Sequence, residues 1–134
     1  WGHDQDLEPE PPQENRKLNW LLAAGNIQLS LPDYARFIQL QLAGVEGRST
    51  LLSAEEFRFL HQGHERFAVG WFWEKEGTGE VVVYNVGNPG TFLSKVYLLP
   101  GKDRAFILLS NAQTVAADEG LDVLYQELRV RYPK

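Results

Sequence analysis

The chain has 134 residues, of which 43% are hydrophobic and 23% are charged, as is ordinary for one globular domain. A formal net charge of −5 argues against a nucleic-acid partner, because nucleic acids bind basic surfaces. The absence of cysteine excludes disulfides and thiolate metal sites, and no apolar run reaches the roughly 20 residues of a membrane-spanning helix. The chain starts at Trp1 and contains no methionine, so we expect sequence upstream of it to have been removed.

The first half of the chain is predicted to be a loop followed by a helical segment. Residues 1–17 contain three prolines and five acidic residues, a composition that favours a solvated loop over a helix. Residues 18–64 form the predicted helical segment. It opens with the apolar run Leu18–Ala24, which the dipeptide Gly25-Asn26 ends.

Two serines mark the starts of helices in this segment. Ser30 precedes Asp33, whose carboxylate suits the first turn, and apolar residues then recur at helical spacing over Leu31–Ala43. Ser53 and Glu56 have the spacing of a capping box, which predicts a second and shorter helix.

Residues 65–111 are predicted to form an antiparallel meander, because short turns rich in glycine and proline separate four extended segments. The predicted strands are Phe67–Trp73, Glu80–Tyr84, Phe92–Leu99 and Arg104–Ser110. In the first strand the odd-numbered residues are expected to share one face. The last strand is apolar without alternation from Ala105 to Leu109, so we expect both of its faces to be covered.

Residues 112–134 are predicted to contain a terminal helix from about Thr114 to Arg131. Asp118 lies early and Arg129 lies late in it, as the helix dipole favours. The predicted fold class is therefore α+β: an antiparallel sheet of three to four strands packed by a C-terminal helix and preceded by short helices.

The three histidines do not indicate a metal site. His61 and His64 are three residues apart, but Gly63 lies between them and is expected to end the helix. No third ligand stands at a suitable spacing, and His3 is isolated. We expect ordinary surface histidines, no bound metal and no cofactor.

No nucleophilic site is visible in the sequence. The chain has neither a Gly-x-Ser-x-Gly elbow nor a Ser-x-x-Lys pair, and Ser30 and Ser53 are better explained as helix caps. The aromatic run Trp71-Phe72-Trp73 has the character of a ligand-stacking surface, but the core of the sheet is the favoured interpretation. No catalytic residue is therefore expected in this chain.

Several segments, taken in order, resemble the C-terminal part of the serine β-lactamase-like family, which includes class C β-lactamases, D-alanyl-D-alanine carboxypeptidases and related esterases. The segments that carry the resemblance are Ala23–Ile27 with Asp33–Phe37, Leu51–Ser53, Phe67–Trp71, Asn85–Phe92, Leu98–Pro100 and Ile107–Asn111. They cover nearly the whole chain. Each piece is short, and the specificity lies in their order.

The resemblance implies that residues 1–134 are the rear part of a β-lactamase/transpeptidase-like domain. The nucleophile and base of Ser-x-x-Lys, and the tyrosine of Tyr-x-Asn, would lie upstream, so the chain alone is predicted to be inactive. Asn85, Val86, Gly87 and Asn88 match the third motif and would line the groove for a small-molecule or peptide substrate. Asn85 stands where the family has lysine or histidine, so a substrate carboxylate would meet no cation there.

The resemblance also implies a periplasmic or secreted protein. The family's N-terminal strands pair beside the strand corresponding to Arg104–Ser110. Without them that edge is open, which predicts a dimer or a strand swap.

Three interpretations of function stay open. The first is a piece of a serine hydrolase that transfers or hydrolyses an acyl group of an amide or ester. The second is a non-catalytic binding or regulatory protein of the same fold, which the change at Asn85 favours. The third is an unrelated α+β interaction module.

Overall fold

The structure, a computed structural model, describes residues 1–11, 25 and 27–133. These residues confirm the predicted α+β class, with a four-stranded antiparallel sheet and a C-terminal helix. The helices are α1 (Leu31–Val45), α2 (Ala54–Gln62) and α3 (Val115–Arg131). The strands are β1 (Gly2–His3), β2 (Pro9–Glu10), β3 (Phe72–Lys75), β4 (Val81–Gly87), β5 (Leu93–Leu99) and β6 (Arg104–Ser110). The predicted apolar run Leu18–Ala24 lies outside the described residues.

Both predicted helix caps are confirmed. The hydroxyl of Ser30 accepts a hydrogen bond from the backbone N–H of Asp33 at 3.3 Å. The hydroxyl of Ser53 accepts from the backbone N–H of Glu56 at 3.2 Å, and the Glu56 carboxylate accepts from the backbone N–H of Ser53 at 2.7 Å. The hydrogen bonds from the Ser53 backbone and hydroxyl lower the pKa of Glu56. Local chemistry therefore determines where α1 and α2 begin.

Helices α1 and α2 approach each other closely at Gly44. A Cβ atom on Gly44 would overlap the ring of Phe57 on α2, which is buried. Ile38, Leu42 and Val45 of α1 are also buried, at the spacing of one helix face. The two helices thus form a small core of their own.

The described sheet has the order β3-β4-β5-β6. Strands β3 and β4 pair with Phe72 opposite Tyr84 and Lys75 opposite Val81. The buried residues of the sheet are Val82, Val83, Leu93, Val96, Leu98, Leu99, Phe106 and Leu108. Because β4 and β5 carry adjacent buried residues, both faces of the sheet are covered along these inner strands.

The first long strand starts later than the sequence predicts. Arg66 and Gly70 adopt φ angles of 65° and 78°, which bend the chain, so that β3 begins only at Phe72. The prediction that the odd-numbered residues from Phe67 share one face is therefore wrong: Phe67 and Val69 are exposed, whereas Trp71 is buried. A positive φ at a non-glycine residue has no dependable sequence signal.

The prediction that both faces of β6 are covered is wrong at the end of the strand. Phe106 and Leu108 are buried, but Leu109 is 52% exposed. This strand is last in the order of the described sheet, where fewer neighbours cover it.

Residues 1–11 contain more structure than the predicted loop. Strands β1 and β2 pair antiparallel, with Gly2 opposite Glu10. The Asp4 carboxylate accepts hydrogen bonds from the backbone N–H groups of Asp6 and Glu8, both at 3.0 Å, which fixes the turn between the two strands. The remainder of the predicted loop, residues 12–17, lies outside the described residues.

The chain divides into two compact units. One comprises residues 1–28, 86–95 and 107–133, and the other residues 29–85 and 96–106. In the first unit, α3 buries Leu121 and Tyr125, which lie one turn apart. Within the described part of the chain, none of the helices combines the length and apolar character that crossing a bilayer requires.

Candidate functional site

The four predicted groove residues lie at the end of β4 and in the turn that follows. Asn85, Val86 and Gly87 are the last three residues of the strand, and Asn88 starts the turn. Side chains alternate along a strand, so Asn85 and Gly87 share one face and Val86 projects from the other. One face of the sheet can therefore present Asn85 and Gly87 together, without Val86.

The amide of Asn85 is bound to the loop before β3. Its Nδ2 donates a hydrogen bond to the carbonyl oxygen of Gly70 at 2.6 Å. Gly70 has a φ of 78°, in the left-handed region that favours glycine. The same loop is held by the backbone N–H of Ala68, which donates to the carbonyl of Trp71 at 2.8 Å. Asn85 thus stabilises the loop between α2 and β3.

Gly87 is half-buried and lies beside Ser94 of β5. A Cβ atom built on it would lie 3.6 Å from Cβ of Ser94, an ordinary van der Waals distance. The backbone of Gly87 therefore does not require glycine for steric reasons. Glycine does leave the face that it shares with Asn85 without a side chain at this position.

Asn88 fixes the turn that ends β4. Its Oδ1 accepts a hydrogen bond from the backbone N–H of Gly90 at 2.9 Å. Gly90 has a φ of 99°, which glycine adopts without steric cost. This is the side-chain-to-backbone turn that Asn-Pro-Gly favours, so Asn88 has a structural task in addition to its predicted place in the groove.

No described serine hydroxyl contacts a histidine or lysine. Ser30 and Ser53 cap helices, and the hydroxyl of Ser110 bonds the backbone N–H and carbonyl of Ala112, both at 3.1 Å. The hydroxyl of Ser49 accepts from the backbone N–H of Leu51 at 3.1 Å. The Ser30 hydroxyl also donates to Oδ2 of Asp33 at 2.6 Å, but this contact is part of the exposed helix cap. A nucleophile of the expected type needs a lysine or histidine base within hydrogen-bond reach, and these contacts do not supply one.

The structure corrects the expectation that the histidines are ordinary surface residues. His61 of α2 is fully buried, whereas His64, beyond the helix, is exposed. Nε2 of His61 donates to Oε1 of the buried Gln41 at 2.9 Å, and its ring lies 5.2 Å from the ring of Trp71. Burial lowers the pKa of His61 to about 4, so the ring is neutral at pH 7.

Sequence reasoning missed the burial of His61 although a signal for it was present. The capping box at Ser53 sets the phase of α2, and His61 lies four residues after the buried Phe57, on the same helix face. Within residues 1–11, 25 and 27–133, no group of three or more histidine, cysteine, aspartate or glutamate residues could hold a metal ion.

A buried lysine forms a charged cluster with two aspartates. The side chain of Lys95 on β5 is 5% exposed, and its Nζ lies 2.6 Å from Oδ1 of Asp122 and 2.9 Å from Oδ1 of Asp118, both on α3. It also donates to the backbone carbonyl of Asp118 at 3.1 Å. Burial disfavours the charged ammonium, but the hydrogen bonds to Asp122 and Asp118 outweigh it and raise the pKa of Lys95. This cluster attaches α3 to β5.

Comparison with known proteins identifies no relative: neither the scan against protein-family models nor the searches of curated proteins and of solved structures found a match. The resemblance to the β-lactamase-like family therefore depends on the residue motifs alone.

Proposed function

We propose that this chain is the C-terminal part of a serine β-lactamase-like hydrolase and contributes one wall of its substrate groove. The observation that carries the proposal is the placement of Asn85 and Gly87 on one face at the end of an inner antiparallel strand, in the segment that resembles the third motif. A groove wall of this kind needs exposed backbone and little side-chain bulk. Gly87 adds no side-chain bulk, and Asn85 and Gly87 are both partly exposed.

In this proposal the reactive serine and its lysine base belong to a part of the protein not contained in residues 1–134. Nucleophile and base must share one cleft with the groove wall, because proton transfer requires hydrogen-bond contact. The role of the described residues is to position an amide or ester substrate along β4. Asn85 carries no charge, so a substrate without a carboxylate at this point is favoured.

Two experiments test the proposal. The 134-residue chain should hydrolyse p-nitrophenyl acetate and a chromogenic cephalosporin no faster than buffer, and turnover by this chain alone would refute the assignment. A longer protein that includes the coding sequence upstream should contain Ser-x-x-Lys followed by Tyr-x-Asn. It should also become covalently labelled by a fluorescent phosphonate probe, and absence of both motifs would contradict the proposal.

Substitutions at Asn85 in that longer protein test the groove itself. Asn85→His introduces the ring that the β-lactamase-like family has at the matching position, and we expect it to change the ratio of kcat/KM between a neutral ester and a substrate that carries a carboxylate. Asn111→Ala replaces an exposed asparagine outside the groove and serves as the matched control. If the ratio of kcat/KM were unchanged in both variants, Asn85 would not line the substrate groove.

A second candidate function is a non-catalytic binding or regulatory protein of the same fold. The hydrogen bond from Asn85 to Gly70 favours it, because one N–H of the amide is committed to the loop, which leaves the second N–H and Oδ1 for a ligand. In that case the longer protein folds but shows neither phosphonate labelling nor turnover.

A further inference from the structure

A cleft of about 710 Å³ lies in the second compact unit, at the start of β4. It is formed where the end of α1, one side of α2, the turn between β3 and β4, and the turn between β5 and β6 come together. Val81 begins β4, and Asn85 lies about 13 Å further along the strand at the usual rise per residue. The cleft is therefore separate from the proposed groove. More than half of its lining residues are exposed, so the cleft is open to solvent and a bound ligand would be covered on one side only.

Two carboxylates line this cleft, and each already has a cationic partner. Lys102 contacts Glu80, with Nζ and Oε1 3.0 Å apart. Arg48 contacts Glu46, with Nε donating to Oε2 at 2.6 Å. Each of the two carboxylates thus has a cationic partner apart from the remaining cation of the cleft, and Arg48 also contacts Asp103 at 3.1 Å.

That remaining cation is Arg58. One of its nitrogens, Nη2, donates to the carbonyl oxygen of Val45 at 3.1 Å, in the last turn of α1. This contact fixes the guanidinium at the negative end of the helix dipole. Among the described residues Arg58 has no carboxylate partner, and a guanidinium has five N–H donors, so donors stay available to a ligand.

The remaining walls supply both apolar and neutral polar surface. Val45 is buried, Val81 and Pro100 are half-buried, and Gln62 and Thr78 add uncharged polar groups. A ligand with an anionic end and an apolar body fits this combination. Because Glu46 and Glu80 line the same cleft, a single negative charge is favoured over the two charges of a phosphate.

We propose that the cleft binds a small monocarboxylic acid, with its carboxylate on Arg58 and its apolar body against Val45, Val81 and Pro100. This proposal does not depend on the hydrolase assignment. Both could hold together, and either could fail alone.

The test is an NMR titration of the ¹⁵N-labelled chain with hexanoate, and in parallel with hexanamide, which has the same body without the charge. Hexanoate should cause saturable shifts of the amide signals of Thr78, Gly79 and Gly101, and hexanamide should bind at least about tenfold more weakly. Equal binding of the two compounds, no saturation, or shifts confined to other residues would overturn the proposal.

Substitutions then identify the anchoring residue. Arg58→Gln should weaken hexanoate binding about tenfold, whereas Arg36→Gln, which removes an exposed arginine of α1 outside the cleft, should leave it unchanged. Equal binding by Arg58→Gln and the unsubstituted chain would contradict the assignment. If Arg58→Gln does not fold, Arg58→Lys keeps the charge but loses the bidentate geometry, and binding as strong as that of the unsubstituted chain would count against the proposal.

Discussion

His61 on α2 and Gln41 on α1 share a buried hydrogen bond, with Nε2 and Oε1 2.9 Å apart. The contact assigns the proton to Nε2 and leaves Nδ1 buried without a hydrogen-bond partner among the described residues. A charged imidazolium would have to place a second N–H at this nitrogen. The geometry and the pKa of about 4 therefore agree that the folded state holds the neutral ring.

This burial predicts that the chain loses stability in mild acid. The pKa of His61 is about 4 in the folded chain against an ordinary value of 6.5, so between these pH values the unfolded chain binds a proton that the folded chain does not. The free energy of unfolding should fall as the pH drops through this window, by about 3 kcal/mol in total. Urea unfolding from pH 7 to pH 4 measures it.

The variant His61→Gln removes the titrating group and should flatten the curve in that window. His64→Gln controls for the loss of an exposed imidazole. If His61→Gln kept the same pH dependence as the unsubstituted chain, His61 would not be its source.

A structural feature could be predicted from the sequence when the residues that determine it are close together in the chain. The starts of α1 and α2 were predictable, because Ser30 and Ser53 each act within three residues of themselves. The start of β3 was not, because it depends on a positive φ at Arg66, a residue with no intrinsic preference for that conformation. The burial of His61 had a local signal, its place four residues after Phe57, but its hydrogen-bond partner Gln41 is 20 residues away in the sequence and was not predictable.

We expect substitutions on the two sides of the Lys95 ion pairs to change the free energy of unfolding by different amounts. Asp118 and Asp122 have side chains 50% and 54% exposed, so both stay hydrated in Lys95→Met, where an apolar chain fills the buried site. The double variant Asp118→Asn with Asp122→Asn instead leaves a buried ammonium without a carboxylate, which should cost about 3 kcal/mol. We expect Lys95→Met to cost less, as measured by urea unfolding at pH 7.

The exposed pair of Arg36 and Asp33, with side chains 77% and 53% exposed, provides the comparison for this series, and Arg36→Met should cost at most about 1 kcal/mol. The stabilisation from Lys95 should be fully present below pH 10.5, the ordinary pKa of lysine, and should be lost as the pH rises from there through the raised pKa of the folded chain. A larger loss for Lys95→Met than for the double aspartate variant would contradict this account.

Two helical glycines predict opposite effects of the same substitution. Gly44→Ala places a methyl group on the Phe57 ring, so α1 and α2 must separate, and we expect a loss of about 1–3 kcal/mol. Gly120 of α3 has open space within 4 Å of the position that a methyl group would occupy. Gly120→Ala should therefore stabilise the chain by about 0.5–1 kcal/mol through helix propensity alone. Denaturation midpoints of the two variants should move in opposite directions.

We expect two substitutions of Asn85 to lower the stability of the chain by different amounts. Asn85→Ala removes the hydrogen bond to the Gly70 carbonyl and should cost about 1 kcal/mol. Asn85→Asp directs a carboxylate oxygen at that carbonyl oxygen, so it should cost more at pH 7. Thermal unfolding of both variants, with Asn111→Ala as the control, measures the order. Equal melting temperatures would show that the contact does not stabilise the loop.

The site was only partly predictable for the same reason as the fold. The turn at Asn88 follows from the sequence Asn-Pro-Gly, because its hydrogen bond to Gly90 spans two residues. The bond from Asn85 to Gly70 spans 15 residues, and its geometry depends on the register of β3 against β4. Because side chains alternate along a strand, Val86 lies on the opposite face of the sheet from Asn85 and Gly87. This follows once β4 is known to extend to Gly87.

The position of β6 predicts self-association of the chain. This strand is last in the order of the described sheet and is seven residues long. It contains neither lysine nor proline, the residues that commonly protect an edge, and Leu109 is 52% exposed. We expect a dimer or strand-swapped species in size-exclusion chromatography with light scattering. Leu109→Lys should shift it to the monomer, whereas Leu51→Lys, at another exposed leucine, should not. A monomer at high concentration, with slow amide exchange along Arg104–Ser110, would show that this edge is already protected.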